Sequence, residues 1–328
     1  MKLSFVMTML LGAVVFSPAG FTHATTPIAA PVDSEIRQTL NRAGLTLPIA
    51  SISSAPFANL YEVKILGEEI PLYINTAVSH IIQGQISINP SPITPVQLPH
   101  GTSGSPITPA HRRALLANMS ELGVISQDTP FYYTALDGVL WSIADGLPFL
   151  LSADGKYLLD GEISLIVNGQ FVGLDQNFER QKNQHVFSML DETQLITYQA
   201  INEKAVLYVA TDVHCPYCRL LHKQYPMLNA QGITIKTIGY PVYEESFEPM
   251  RHLWCESNAD TRKSLLNTAM NGIMPQPICT ANQNNLVNNQ HIASGLAIVA
   301  TPAIYRADGA LFEGDFQSEQ LPKFLGVR

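Results

Sequence analysis

Charge is scarce in this chain: Asp, Glu, Lys and Arg make up 14% of 328 residues, against 46% hydrophobic, and no Lys/Arg cluster resembles a nucleic-acid footprint. With a net charge of −8 and no basic patch, nucleic acid is not expected as a partner. The same composition excludes fibrous and disordered classes. After the first two dozen residues no stretch approaches the about 20 apolar residues that a transmembrane helix needs. Cysteine is rarer still, with four residues and a single CxxC, so a four-ligand zinc site would have to draw on scattered histidines such as His222 and His252. The length exceeds one ordinary core and implies two or three domains.

What is present begins with an export signal. Lys2, the apolar stretch 3–16, a Pro/Gly break and Thr22-His23-Ala24 have the n-, h- and c-regions of a secretory peptide. The expectation is a signal peptide over 1–24, cleaved after Ala24, with the mature chain starting at Thr25 and exported to a compartment where disulfides persist.

Cys215-Pro216-Tyr217-Cys218 follows the apolar run 206–210. Two thiols at i and i+3 on a strand-to-helix junction form a redox pair. At the helix N-terminus the unpaired N–H groups and the macrodipole favour a thiolate, which makes Cys215 the nucleophile and Cys218 the resolving thiol. Pro216 suits the first turn, and Leu220, Leu221, Tyr225 and Leu228 continue at helical spacing. Half of a zinc site and an inert disulfide are the other readings of the motif. Asp212 and His214 are placed to tune the thiolate by charge, or are solvated loop residues. Four cysteines allow three pairings; local spacing favours 215–218 with a structural bridge 255–279, which closes a loop of about 25 residues.

Upstream, a helix opening at Asp33 with Ile36, Leu40 and Ala43 stops at Gly44, and strands follow at 61–65, 71–74 and 80–86. Residues 89–107 are rich in proline, Pro99 among them, and read as a semi-extended linker. The first pattern then returns. Thr108 and Pro109 open a helix with Leu115, Met119 and Leu122, stopped by Gly123; Pro56-Phe57 answers to Pro130-Phe131, and 71–86 answers to 148–163. The expected domains are a module over 25–88, the linker 89–107, a second module over 108–173, a solvated linker helix over 174–199, and a catalytic domain over 200–328. In that last domain a strand at 205–211, a helix from 215, a strand at 233–238, helical stretches at 248–270 and 282–297, strands near 303–306 and 310–313 and a final helix at 318–325 match a thioredoxin-like α/β fold with a helical insertion. Thr301-Pro302 before a strand is commonly cis in that fold and faces the CxxC, leaving the residue 301 backbone open to a substrate peptide; an ordinary edge-strand proline is the alternative.

From Thr25 onward the chain resembles the periplasmic DsbC/DsbG thiol:disulfide isomerases. The resemblance is carried by 34–40, His80-Ile-Ile-Gln-Gly84, Thr211-Asp-Val-His-Cys-Pro-Tyr-Cys218, 230–236, Trp254-Cys255 and Thr301-Pro302-Ala303. It implies cystatin-like α+β N-terminal dimerisation modules, a linker helix and a thioredoxin-fold catalytic domain. It also implies attack by Cys215, resolution by Cys218, a structural Cys255–Cys279 bridge, and a substrate groove at Thr301 and Pro302. No cofactor is required. Misfolded disulfide-containing exported proteins are the expected substrates, a DsbD-like membrane protein the expected reductant, and a homodimer the expected assembly, with pairing of the two modules inside one chain, which gives a monomer, as the alternative. Pro216 and Tyr217 between the cysteines follow the DsbG-like branch, which leaves rescue of sulfenylated cysteines open beside isomerisation; holdase and oxidase functions are further alternatives.

Overall fold

The computed structural model describes residues 26, 28–57, 59–96, 100–144, 146–280 and 283–327. The signal segment 1–24, its cleavage after Ala24, the Thr25 start and Pro99 lie outside the described residues. The chain divides after Phe178 into two units.

In the first unit α1 (Ala30–Arg42) carries Pro31 in its first turn and buries Ile36 and Leu40 one turn apart. It ends before Gly44, whose φ of 101° suits glycine. The helix covers β1 (Ile49–Ser54), β2 (Leu60–Ile65), β3 (Leu72–Asn75) and β4 (His80–Gln83), an antiparallel run that contributes Ile52, Val63, Ile65, Leu72 and Ile74 to a common core. The strand expected over 80–86 is cut at Gly84, and β5 (Gln85–Ile88) belongs to a different sheet. Next come α2 (Pro109–Asn118), capped by the Thr108 hydroxyl, and β6 (Phe131–Tyr133), β7 (Val139–Ala144), β8 (Leu147–Ser152), β9 (Tyr157–Asp160), β10 (Ile163–Val167) and β11 (Gln170–Leu174). α2 stops short of Gly123, although Leu115, Met119 and Leu122 are buried as the pattern required.

The strand orders are β1-β2-β3-β4-β10-β11 and β5-β9-β8-β7-β6. Each sheet therefore takes strands from both expected modules, so 25–88 and 108–173 do not delimit two separate sheets. Registers recur between the halves. Ile52↔Val63 has a counterpart in Phe131↔Ser142, Tyr61↔Ile74 in Leu140↔Leu151, and Ile74↔Ile81 in Leu151↔Leu158. Counterparts are 79 residues apart in the early strands (Tyr61 to Leu140) and 77 in the later ones (Ile74 to Leu151). Phe131 thus takes the place of Ile52, while Phe57 falls in the β1–β2 turn, so the Pro56-Phe57 match to Pro130-Phe131 does not hold. Nor is 89–107 a free spacer. Backbone groups without a sheet or helix still need partners, and Asn89 and Ser91 are buried to supply them. Asn89 Nδ2 donates to Asn118 O (2.7 Å) and Gly155 O (2.8 Å), and Asn118 Nδ2 donates to Thr94 O (2.9 Å).

The division falls within α3 (Gln176–Ser188). The expected helix 174–199 ends at Ser188, because β12 (Ile196–Tyr198) already belongs to the second unit's sheet. It is not solvated either. Lys182 is fully buried, pairs with Glu179 (3.3 Å) and donates to Gly295 O (3.1 Å), while Asn183 Nδ2 donates to Gly309 O (3.0 Å). After β12 follow β13 (Ala205–Thr211), α4 (Pro216–His222), α5 (Tyr225–Ala230), β14 (Ile233–Gly239), α6 (Phe247–Cys255), α7 (Ala259–Met270), α8 (Val287–Gly295), β15 (Ala303–Arg306) and α9 (Gln320–Phe324). The sheet order is β12-β14-β13-β15, with β13 and β14 parallel and the other pairs antiparallel. This is the thioredoxin-like arrangement, with α6 to α8 inserted between β14 and β15. The strand expected near 310–313 is only a bridge between Tyr305 and Leu311.

Candidate active site

β13 carries the chain to Thr211, a turn follows, and Cys215 becomes the N-cap of α4 with Pro216 in its first turn. Cys215 Sγ accepts from the Cys218 backbone N–H (3.4 Å), a donor no helical carbonyl can reach. Both thiols are free and buried. Across from them the Thr301–Pro302 peptide is cis, and Thr301 O lies 3.2 Å from Cys215 Sγ. The structure therefore brings Cys215, Cys218, Thr301 and Pro302 together as the sequence suggested.

The two thiols are electrostatically unequal. A hydrogen bond from the Cys218 thiol brings Cys215 down to about 6 against the opposing effect of burial, aided by the Cys218 backbone N–H, the Thr301 side chain and the Tyr217 backbone N–H. Among the described residues the buried Thr301 hydroxyl has no partner besides these two sulfurs. Burial, and then its bond to Cys215, push Cys218 far above the ordinary thiol range. At neutral pH one thiolate faces one protonated thiol.

The side chains of Asp212 and His214 bond groups other than the two thiols, although the Asp212 carbonyl accepts from the Cys215 N–H (3.2 Å). The buried Asp212 carboxylate accepts from the N–H groups of His214 (2.7 Å), Val242 (2.7 Å) and Tyr243 (3.1 Å) and from the Ser246 hydroxyl, while His214 Nδ1 meets Ser246 Oγ at 3.0 Å. Their shared work is to pin the 242–246 loop. That loop presents Tyr243, a residue the sequence reading missed, whose hydroxyl is pushed up chiefly by the negative charge of Cys215. No local motif marks it, since only the fold brings residue 243 near residue 215. Beneath the dithiol the Tyr198 hydroxyl donates to Asn267 Oδ1 (2.7 Å) and accepts from His222 Nε2 (3.0 Å), and Tyr225 stacks edge-on against Tyr198. Cys255 and Cys279 form a disulfide with Cα atoms 5.7 Å apart. Its loop is also held by Arg251 on Thr280 O (3.0 Å) and Gln283 O (2.8 Å), and by His252 Nδ1 accepting from Cys279 N (3.1 Å). Among the described residues no three metal-ligating side chains cluster, and no helix is long and apolar enough to cross a membrane.

A thioredoxin-like domain model matches residues 192–326, and the model of the disulfide bond isomerase protein N-terminal domain matches 27–93. The thiol:disulfide interchange protein DsbC of Salmonella typhimurium is 25% identical over 67% of this chain and 90% of its own length. DsbC of Haemophilus influenzae is 29% identical over 58% and 80%, and DsbG of Pseudomonas aeruginosa 24% over 56% and 76%. Fold, dithiol and kinship together define a thioredoxin-like thiol:disulfide oxidoreductase. Within that class the chain is similar to the DsbC and DsbG thiol:disulfide interchange proteins, and its N-terminal residues match the disulfide bond isomerase N-terminal domain.

Proposed function

We propose that the protein isomerises or reduces non-native disulfides of exported proteins in the periplasm, with Cys215 attacking and Cys218 resolving. The observation that carries this reading is the inequality of the two thiols, Cys215 down to about 6 and Cys218 held protonated above the ordinary range. The Cys215 thiolate attacks one sulfur of a substrate disulfide; that S–S bond breaks and the departing sulfur leaves as a thiolate. If a second substrate thiolate then displaces Cys215, the disulfide has moved without net electron transfer. If Cys218 displaces the substrate, the substrate is reduced by two electrons and Cys215–Cys218 is oxidised, which calls for an external dithiol reductant such as a DsbD-like membrane protein. Thr301 and Pro302 would pair with the substrate backbone, while exposed Tyr217 and Tyr243 meet its side chains. The recurring registers of the first unit support reading it as two cystatin-like α+β modules. Asp212 and His214 hold the loop beside the site, and Cys255–Cys279 holds the insertion.

Alkylation by iodoacetamide across pH 5–9, mapped by peptide mass, tests the reading. Cys215 should react with an inflection near pH 6 while Cys218 stays unreactive. With a scrambled-disulfide substrate, Cys218→Ala should keep shuffling and accumulate the mixed disulfide, and Cys215→Ala should do neither. Equal alkylation of both thiols at pH 6 overturns the assignment, and rapid turnover of a sulfenylated protein beside poor unscrambling would shift it to the DsbG-like activity.

A further inference from the structure

We propose that the first unit is a two-fold pair fused into one chain, which supplies both sides of a self-complementary strand exchange, so that the protein works as a monomer with one Cys215 site. The proposal is independent of the thiol chemistry. β4 pairs with β10 and β5 with β9 through counterpart residues. His80↔Leu165 mirrors Tyr157↔Ile88, Ile81↔Ser164 mirrors Leu158↔Ser87, and Ile82↔Ile163 mirrors Leu159↔Ile86. Within each mirrored set, residues and their counterparts stand 77 apart (His80 to Tyr157, Ile88 to Leu165). Contacts of the form i to j matched by j to i are the mark of an isologous interface, which ordinarily joins two chains.

The crossing points obey the same relation. Gly84 and Gly161 are counterparts, and a Cβ at Gly84 would overlap Asp160 O as one at Gly161 would overlap Gln83 O. The outer strands do too, since Ser54 N donates to Thr26 O and Tyr133 N to Ser105 O. The connection decides between one chain and two. From β5 the chain continues into Asn89, whose N–H donates to Lys156 O and whose side chain bonds Asn118 O and Gly155 O, and Thr94 is then held by Asn118. The connecting segment thus lies against the half that β5 has joined and leads directly into α2 of that half. The pairing groups that would recruit a second copy are occupied from within. The sequence alone favours a homodimer; this pairing favours the other arrangement.

The test places a cysteine pair across the exchange, Ile81→Cys with Ser164→Cys, in the full chain with Cys215 and Cys218 changed to Ala to prevent shuffling. Paired cross-strand positions have Cα atoms about 5 Å apart, within disulfide reach. On a non-reducing gel the bridge should form within one chain, and light scattering of the unaltered protein at micromolar concentration should give the mass of one chain. Should that pair not oxidise, Ile88→Cys with Tyr157→Cys samples the mirrored exchange. A bridge that links two chains, a two-chain mass, or failure of both pairs to oxidise overturns the proposal.

Discussion

His222 reports how the dithiol is supported from below. Burial among Tyr198 and Tyr225 lowers it to about 4, so the unfolded chain, with an ordinary histidine near 6.5, takes up the proton first. Its contribution to stability is complete above about pH 6.5 and is lost as pH falls toward 4, amounting to about 3 kcal/mol. Urea unfolding at pH 7 and pH 4.5 should show that fall, and His222→Gln should flatten it. Asp212 separates two roles that the sequence leaves open. If its carboxylate braces the 242–246 loop, Asp212→Ala orphans several buried donors and should cost about 3 kcal/mol or more in chemical denaturation, while the alkylation inflection of Cys215 moves little. A large shift of the inflection with unchanged stability would restore the tuning role.

Among the elements, α6 and the loop it holds give the next expectation. Replacing Cys255 and Cys279 with Ala should lower stability by about 3 kcal/mol by the chain-entropy argument, read by thermal unfolding, with Cys215 reactivity retained. The loop should stay partly ordered, since Arg251 and His252 bind it independently of the bridge. Local chemistry made much of this level legible. The CxxC junction, the two-pair division of cysteines and the proline at 302 depend on short-range rules; the first helix announces itself by the apolar spacing of Ile36 and Leu40, though it begins three residues before the expected Asp33, and the helix at Pro109 by proline and apolar spacing together. What escaped the sequence depends on partners far along the chain. The polar residues of α3 look solvated until Gly295 and Gly309 meet Lys182 and Asn183, and the run at 80–86 looks like one strand until Gly84 proves to be where two sheets part. Tyr243 belongs with these, because no local pattern ties it to Cys215.

At the scale of the whole molecule, the exchange at Gly84 and Gly161 also sets how the chain acquires its fold. Gln85 must find Asp160 and Ile82 must find Ile163, so neither sheet of the first unit is complete until both halves of it have been synthesised and delivered. Pairings this distant in sequence close slowly, because the entropy of a long loop is lost before the contacts form. A fragment ending at residue 95 should therefore remain largely unstructured by circular dichroism, whereas the unit carried to residue 178 should melt in one cooperative transition. A newly made chain would meanwhile expose the bare edge of β4, a row of unpaired backbone groups open to association with other chains until β10 arrives.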